Sequence, residues 1–412
     1  MLRKILFILL LADLLYSPST IIAQKQDKPV IARKPYLQSA IADSLTILWR
    51  TNEGSSCSVA YKLKSSTEWK YQKGQIRKTN TGFIENEVVL HELSPSTTYE
   101  YKIFTDNLSL AESETYYFKA PLASNTKSFS FFAVGDIGEP IEEGGTPDKL
   151  AKALAPYKDS VNFGLLLGDI IYPDGRSKDY DVNLFDHFGG VFPYVPVFTV
   201  LGNHDWHKPE NNYMKEWKLP GNEHYYSFDK GSAHFIALDT KNGEMYDYKE
   251  QLEWLKQDLQ KIPDTTQWRI VFLHHNGKSC TYKNDYEAVM SLYPLFEKYN
   301  VDLVLNGHAH TYERLNPMDG KGNVKSSSNS IKYSSPKGFV SITVGSGGKL
   351  RGVGTDPTPF SPDPENCEYK GLVAAYAHKW AFLFLTIDGN QLRAEAISTE
   401  NHKVLDSFSI EK

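Results

Sequence analysis

The sequence predicts two domains in series, an all-β sandwich over residues 29–121 and an α/β domain over residues 127–410. Three observations predict this. The first stretch is built of short alternating runs, such as "SLTILWRT" and "SCSVAYKL", with turn residues between them at short intervals. After "KAPLASNTKS" the texture changes to apolar runs alternating with helical or irregular stretches, the pattern of crossover units around a sheet. A chain of 412 residues with 41% hydrophobic content also suffices for more than one core.

In chain order, Arg3 and Lys4 precede an apolar stretch, Ile5 to Leu15, broken only by Asp13. That stretch is too short to span a bilayer, and the small residue Ala23 follows it, so residues 1–23 read as a cleaved secretory signal peptide. A retained anchor is the competing reading. No other segment approaches membrane-spanning length, so the chain is expected to be secreted or periplasmic, with no membrane span after cleavage.

The sandwich continues through "ENEVVLHEL" and "SPSTTYEYKIFT". It holds no acidic cluster, His pair or reactive Ser with a partner, so packing or spacing is its expected role. Asn107-Leu-Ser is a glycosylation sequon of use only in a eukaryote.

In the second domain the expected strands are "FSFFAV", "VNFGLLL", "VPVFTVL", "RIVFL", "VDLVL" and "FVSITV". Between them "TPDKLAKALAPY" is a helix with Thr146 as N-cap and Pro147 at its first position. "YKEQLEWLKQDLQKI" is a second helix, with Leu252, Leu255 and Leu259 on one face. "DYEAVMSLYPLFEKYN" has a helical pattern with a kink expected at Pro294. "AFLFLTIDGNQLRAEAIS" predicts a hairpin turning at Asp-Gly. Residues 325–330 and 354–366 read as exposed loops.

Net charge is -5 without a basic block, which excludes nucleic acid as an evident partner. Cys57, Cys280 and Cys367 form neither a disulfide framework nor a zinc spacing. Cys57 lies in a strand-like run and reads as a small buried hydrophobe. Cys280 and Cys367, both in long loops of the second domain, are expected to pair.

Chemistry gathers where the apolar runs end. After "FSFFAV" comes "GDIG" with Asp136, and after "FGLLL" comes "GDIIY" with Asp169 and Tyr172. "VFTVL" leads to "GNHD" with Asn203, His204 and Asp205, and "RIVFL" to His274 and His275. "VDLVLN" leads to "GHAHTYER", with His308 and His310. A single Asp after a strand is ordinarily a turn or cap residue, and a single His or Tyr near a core is ordinarily packing. Five strand ends, four with Gly just before the polar group, are not explained by capping. Glycine would permit the turn that aims the next side chain inward. In α/β sheets sites collect at the carboxyl ends of strands, so these groups are expected to meet and His308 and His310 to bind metal.

Together these blocks resemble the five motif blocks of the purple acid phosphatases, within the calcineurin-like metallophosphoesterase superfamily. "HYYSFDKGSAHFIALDT" and "QLEWLKQDL" are similar to that family too, and "KPYLQSA", "LTILWRT" and "LSPSTTYEYKI" resemble its amino-terminal fibronectin type III-like domain. The resemblance implies a four-layer αββα-type catalytic domain. It also implies that Asp136, Tyr172 and His310 hold one metal, Asn203, His274 and His308 a second, and that Asp169 bridges them. His204 would face substrate.

That assignment is chemically consistent. Two metals clamp the attacking and leaving oxygens of an in-line displacement and acidify water to a hydroxide nucleophile. The Tyr172 phenolate favours Fe(III), with Fe, Zn or Mn as the divalent partner. His204 would stabilise the transition state or protonate the leaving alkoxide, and Arg314 would assist phosphate binding, a salt bridge being its alternative. Plant-type members carry further histidines after the fourth block, whereas "HNGKSCTYKND" has none beyond His275. Lys278 and Lys283 are the candidates to supply charge to substrate from that loop, a solvated lysine being the ordinary reading of each, and "GSGG" (345–348) reads as a turn.

The expected function is secreted acid phosphatase action on small phosphate monoesters. Phosphodiesterase or pyrophosphatase action at the same site is one alternative, and an adhesion or carbohydrate-binding protein with an inert metal domain is another. The sequence leaves natural substrate, second metal and oligomeric state open.

Overall fold

Period-two alternation turns residues 31–119 into antiparallel sheets. A computed structural model describes residues 28–110, 114–206, 212–241, 245–284, 286–325, 331–356, 367–369 and 371–412. The expected signal peptide, and most of the two loops at 325–330 and 354–366, fall outside the described residues. The sandwich strands are β1 (Ile31–Ile41), β2 (Ser44–Thr51), β3 (Cys57–Leu63), β4 (Lys70–Lys73) and β5 (Gln75–Lys78). They continue as β6 (Ile84–Leu90), β7 (Thr98–Thr105), β8 (Leu108–Ser109) and β9 (Tyr116–Lys119). One sheet runs β1-β2-β6-β5 and the other β4-β3-β7-β8, with β9 on β7. Between them Trp49, Val59, Val88, Tyr101, Ile103 and Phe118 form a core of their own, joined by Cys57.

The second domain opens with β10 (Ser128–Val134), helix α1 (Pro147–Leu154), β11 (Phe163–Leu166), α2 (Ser177–Tyr180) and β12 (Val197–Thr199). Next come α3 (Tyr213–Glu216), β13 (Tyr226–Lys230), β14 (Ala233–Ala237), α4 (Tyr248–Lys261) and β15 (Trp268–Phe272). Then follow α5 (Glu287–Met290), α6 (Tyr293–Lys298), β16 (Leu303–Asn306), β17 (Tyr312–Leu315), β18 (Lys332–Ser334) and β19 (Val340–Val344). The chain closes with β20 (Val373–Ala377), β21 (Ala381–Asp388), β22 (Gln391–Ser398) and β23 (Val404–Glu411).

Two seven-stranded sheets result, ordered β12-β11-β10-β21-β22-β23-β18 and β13-β14-β15-β16-β19-β17-β20. All six expected strands are present. The sheets pack face to face: the Phe131 and Phe163 rings of one meet Phe235 of the other at 5.3 and 5.2 Å between centroids. Outside the second sheet, Leu255 and Leu259 of α4 and Phe296 of α6 cover Ile236, Val271 and Val304. Helix α1 buries Leu150 and Leu154 into the larger core that holds the first sheet. The layers are therefore helix, sheet, sheet, helix.

Local expectations fare unevenly. The carboxyl-terminal hairpin pairs Asp388 with Gln391 around Gly389, whose φ is +57°. Thr146 does stand at the N-cap of α1, but its side chain makes no capping bond. Pro294 breaks the expected kinked helix in two. It sits in the first turn of α6, where its missing N–H costs nothing.

Candidate metal centre

Each predicted ligand lies just past a strand. Asp136 follows β10, Asp169 and Tyr172 follow β11, and Asn203 and His204 follow β12. His274 follows β15, and His308 and His310 follow β16, in the other sheet. The site thus straddles the carboxyl edges of both sheets.

The turns are made differently from the sequence expectation. Asp136, Asp169 and His308 themselves take positive φ, +57°, +49° and +69°. Of the four preceding glycines only Gly168 does so, at +81°. Gly202 is needed for space instead, since a Cβ there would fall 2.1 Å from Asp169 Oδ1.

Two groups of donors share one carboxylate. The Tyr172 hydroxyl is 2.8 Å from Asp136 Oδ1, 2.9 Å from Asp169 Oδ2 and 3.3 Å from His310 Nε2. His274 Nε2 lies 3.2 Å from Asn203 Oδ1, 3.1 Å from His308 Nδ1 and 3.3 Å from Asp169 Oδ2. All these residues are buried except Asn203, which is half-buried. His275 is also close, with a donor atom within 4.8 Å of His274 and His308, and its Nδ1 meets Thr240 Oγ1 at 3.0 Å.

Outer contacts orient the imidazoles. His274 Nδ1 donates to the Leu167 carbonyl (2.8 Å), His308 Nε2 meets the Tyr286 hydroxyl (2.5 Å), and His310 Nδ1 meets Asp356 Oδ2 (2.5 Å). In each, the other ring nitrogen faces the cluster. His204 is half-buried. Its amide donates to Asp169 Oδ1 (2.8 Å), its Nδ1 donates to the Pro173 carbonyl (2.5 Å), and its Nε2 lies 4.0 Å from Asp169 Oδ2.

The electrostatics call for cations. Asp136 and Asp169 are fully buried, and among the described residues no Lys or Arg forms an ion pair with either. Burial, then the two carboxylates, push the Tyr172 phenol well above its ordinary range. Burial, then Lys283 and His274, push His308 well down, leaving a neutral imidazole with a lone pair to give. Two buried carboxylates without a Lys or Arg partner among the described residues are costly unless positive charge is bound, and the set of carboxylate, phenol, amide and imidazole donors fits a pair of metal ions.

Arg314 needs correction. Its guanidinium is buried away from the cluster, donating to Asp406 at 2.6 and 3.0 Å and to the Tyr333 hydroxyl at 2.6 Å. It ties β17 to β23 and has no free face for phosphate. The sequence reading singled out Lys283 as a loop charge but missed the other neighbours of the cluster. Tyr282, Lys283 and Tyr286 reach the histidines from the loop after β15, and Asp356 holds His310. Lys349 Nζ pairs with Glu139 (2.8 Å) and sits 4.1 Å over the Tyr172 ring. The expected cysteine pair ties the loop after β15 to a distant stretch: Cys280 and Cys367 are bonded, their Cα atoms 5.6 Å apart.

Comparison with known families agrees with this geometry. The calcineurin-like phosphoesterase model matches residues 129–312, and the model of the purple acid phosphatase N-terminal domain matches residues 34–120. Purple acid phosphatase 18 of Arabidopsis thaliana is 27% identical over 364 residues, covering 81% of this chain and 76% of its own.

The chain belongs to the purple acid phosphatase family.

As a purple acid phosphatase family member it is a hydrolase, a metallophosphoesterase of a family that uses a dinuclear centre. A purple acid phosphatase of Glycine max is 24% identical over 82% of this chain and 76% of its own. The fold is shared with the purple acid phosphatase isolated from yellow lupin (Lupinus luteus) seeds, at a TM-score of 0.77 and 20% identity, covering 92% of this chain and 74% of that one.

Proposed function

We propose that this chain is an exported acid phosphatase hydrolysing small phosphate monoesters at a dinuclear metal site. The observation that carries the reading is one continuous cluster of seven donor residues: Asp136, Asp169 and His310 meet the Tyr172 hydroxyl, and Asn203, His308 and the same Asp169 meet His274 Nε2. In this reading Asp136, Tyr172 and His310 hold one metal, Asn203, His274 and His308 the other, and Asp169 both. Bound there, the pair supplies Lewis acidity toward phosphoryl oxygen and acidifies water. A deprotonated Tyr172 is a hard anionic donor, which selects Fe(III) on its side, with divalent Fe, Zn or Mn opposite.

The chain's own residues do the rest. The Pro173 carbonyl fixes the His204 ring with its proton on Nδ1, so Nε2 points at the cluster from its mouth. When protonated, Nε2 donates to the departing oxygen. We place the sandwich at 29–121, the catalytic domain at 127–410 and the removed leader at 1–23. The Cys280–Cys367 bond supports export, since such bonds persist in oxidising compartments. No helix among the described residues is long and apolar enough to cross a membrane.

Elemental analysis of native protein, with p-nitrophenyl phosphate assayed beside its bis-ester, tests the reading. We expect two metals per chain and preference for the monoester at acidic pH. Metal-free protein would move the chain toward an inert binding role, and preference for the bis-ester toward diester hydrolysis.

A further inference from the structure

The loop after β15 is pinned on several sides. Cys280 is bonded to Cys367, its amide donates to Glu313 Oε1 (2.8 Å), and Ser279 Oγ donates to Glu313 Oε2 (2.6 Å). Asn276 Nδ2 and Thr281 Oγ1 both donate to the Lys283 carbonyl, each at 2.7 Å. So anchored, Lys283 sends its Nζ to the His308 carbonyl (3.0 Å) and to within 3.3 Å of His310 Nε2.

No carboxylate among the described residues forms an ion pair with that ammonium. Lys349 nearby is different, its charge being met by Glu139 at 2.8 Å. A cation aimed at a place already meant for metal cations is repulsive unless an anion comes between them. The arriving anion in a phosphatase is the phosphoryl group. We propose that Lys283 is a catalytic residue that binds the substrate phosphoryl group, an inference that rests on the dinuclear phosphatase reading. It gives the loop without histidines its own phosphate contact, from an ammonium in place of an imidazole.

The experiment compares metal-loaded wild type with Lys283→Met, Lys283→Arg and Lys278→Met. Lys278 shares the loop, but its Nζ goes to the Gly322 carbonyl at 3.2 Å and lies over the Tyr369 ring. Metal content, KM for p-nitrophenyl phosphate and calorimetric affinity for inorganic phosphate are measured on each. Loss of a charge-assisted bond to phosphate is expected to raise KM and weaken phosphate binding together in Lys283→Met, each about 10- to 100-fold, with full metal content. Lys283→Arg should recover part of both, and Lys278→Met should match wild type. Unchanged phosphate affinity in Lys283→Met, with metal retained or lost, overturns the proposal. If wild type hydrolyses no ester yet binds phosphate through Lys283, the phosphatase reading fails and the anion site stands.

Discussion

Three residues of the centre, Asp136, Asp169 and His308, sit in the left-handed region where few non-glycine residues settle. Such conformations cost on the order of 1–3 kcal/mol each and persist where surrounding structure enforces them. The centre's character turns on Tyr172, whose buried phenol between two carboxylates would lose its proton only in exchange for a bound cation. Tyr172→Phe is expected to abolish the charge-transfer absorption of an iron–phenolate and to lower iron content. His204→Ala should keep both while turnover falls by about 10²–10⁴. Spectra, metal analysis and turnover of the two variants check this, and a Phe variant like wild type in all three would make Tyr172 an ordinary packed aromatic. These residues were legible in the sequence because each stands beside an apolar run that can only be a buried strand. Arg314 was misread for a related reason. It adjoins the last motif, yet strand alternation in β17 sends Glu313 to the Ser279–Cys280 loop and Arg314 the other way, to Asp406.

Strands were easier to foresee than helices and loops. Continuous apolar runs such as "FSFFAV" and "VDLVL" have one outcome in an α/β sheet. Where "SLYP" divides α5 from α6, a kink and a clean break look alike until tertiary packing decides. The loop from Asn276 to Asn284 was the least legible, because nothing in "NGKSCTYKND" has periodicity and its order comes from distant partners, Cys367, Glu313 and Asp356. That predicts where its stability lies. Replacing Cys280 and Cys367 with Ser opens a link across 87 residues of chain, which should cost about 2–4 kcal/mol in the unfolding equilibrium. KM should rise too, as Tyr282 and Lys283 lose their anchor. A urea midpoint and KM both equal to wild type would show that Glu313 and Asn276 alone hold the loop.

At the scale of the whole molecule, the sandwich is more than a spacer. Tyr36 and Leu48 join the catalytic domain's core, and the Tyr36 hydroxyl donates to the Glu216 carbonyl at 2.9 Å. Beside them a buried ionic cluster spans the two domains. Arg33 Nη1 and Arg50 Nη2 both donate to Glu216 Oε2 at 2.7 Å, Arg33 Nε reaches Asp181 at 2.5 Å, and Arg50 also pairs with Glu85 at 2.9 Å. The cluster was invisible in the sequence because its five members come from five separated stretches, and Arg50, at the end of the β2 alternation, looks like a solvent-facing charge. Glu216 closes α3, so the ionic cluster ties the sandwich to a helix of the catalytic domain. Removing one partner of a buried pair leaves an uncompensated charge, typically at about 3–5 kcal/mol. Here Glu216→Ala would take a shared carboxylate from two buried guanidiniums, leaving Arg33 to Asp181 and Arg50 to Glu85. A marked fall in the urea midpoint is therefore expected, while Lys152→Ala, which breaks only the exposed pair with Asp148, should leave it unmoved. If both variants unfold where wild type does, the two domains are held by their apolar contact alone and the charges merely accompany it.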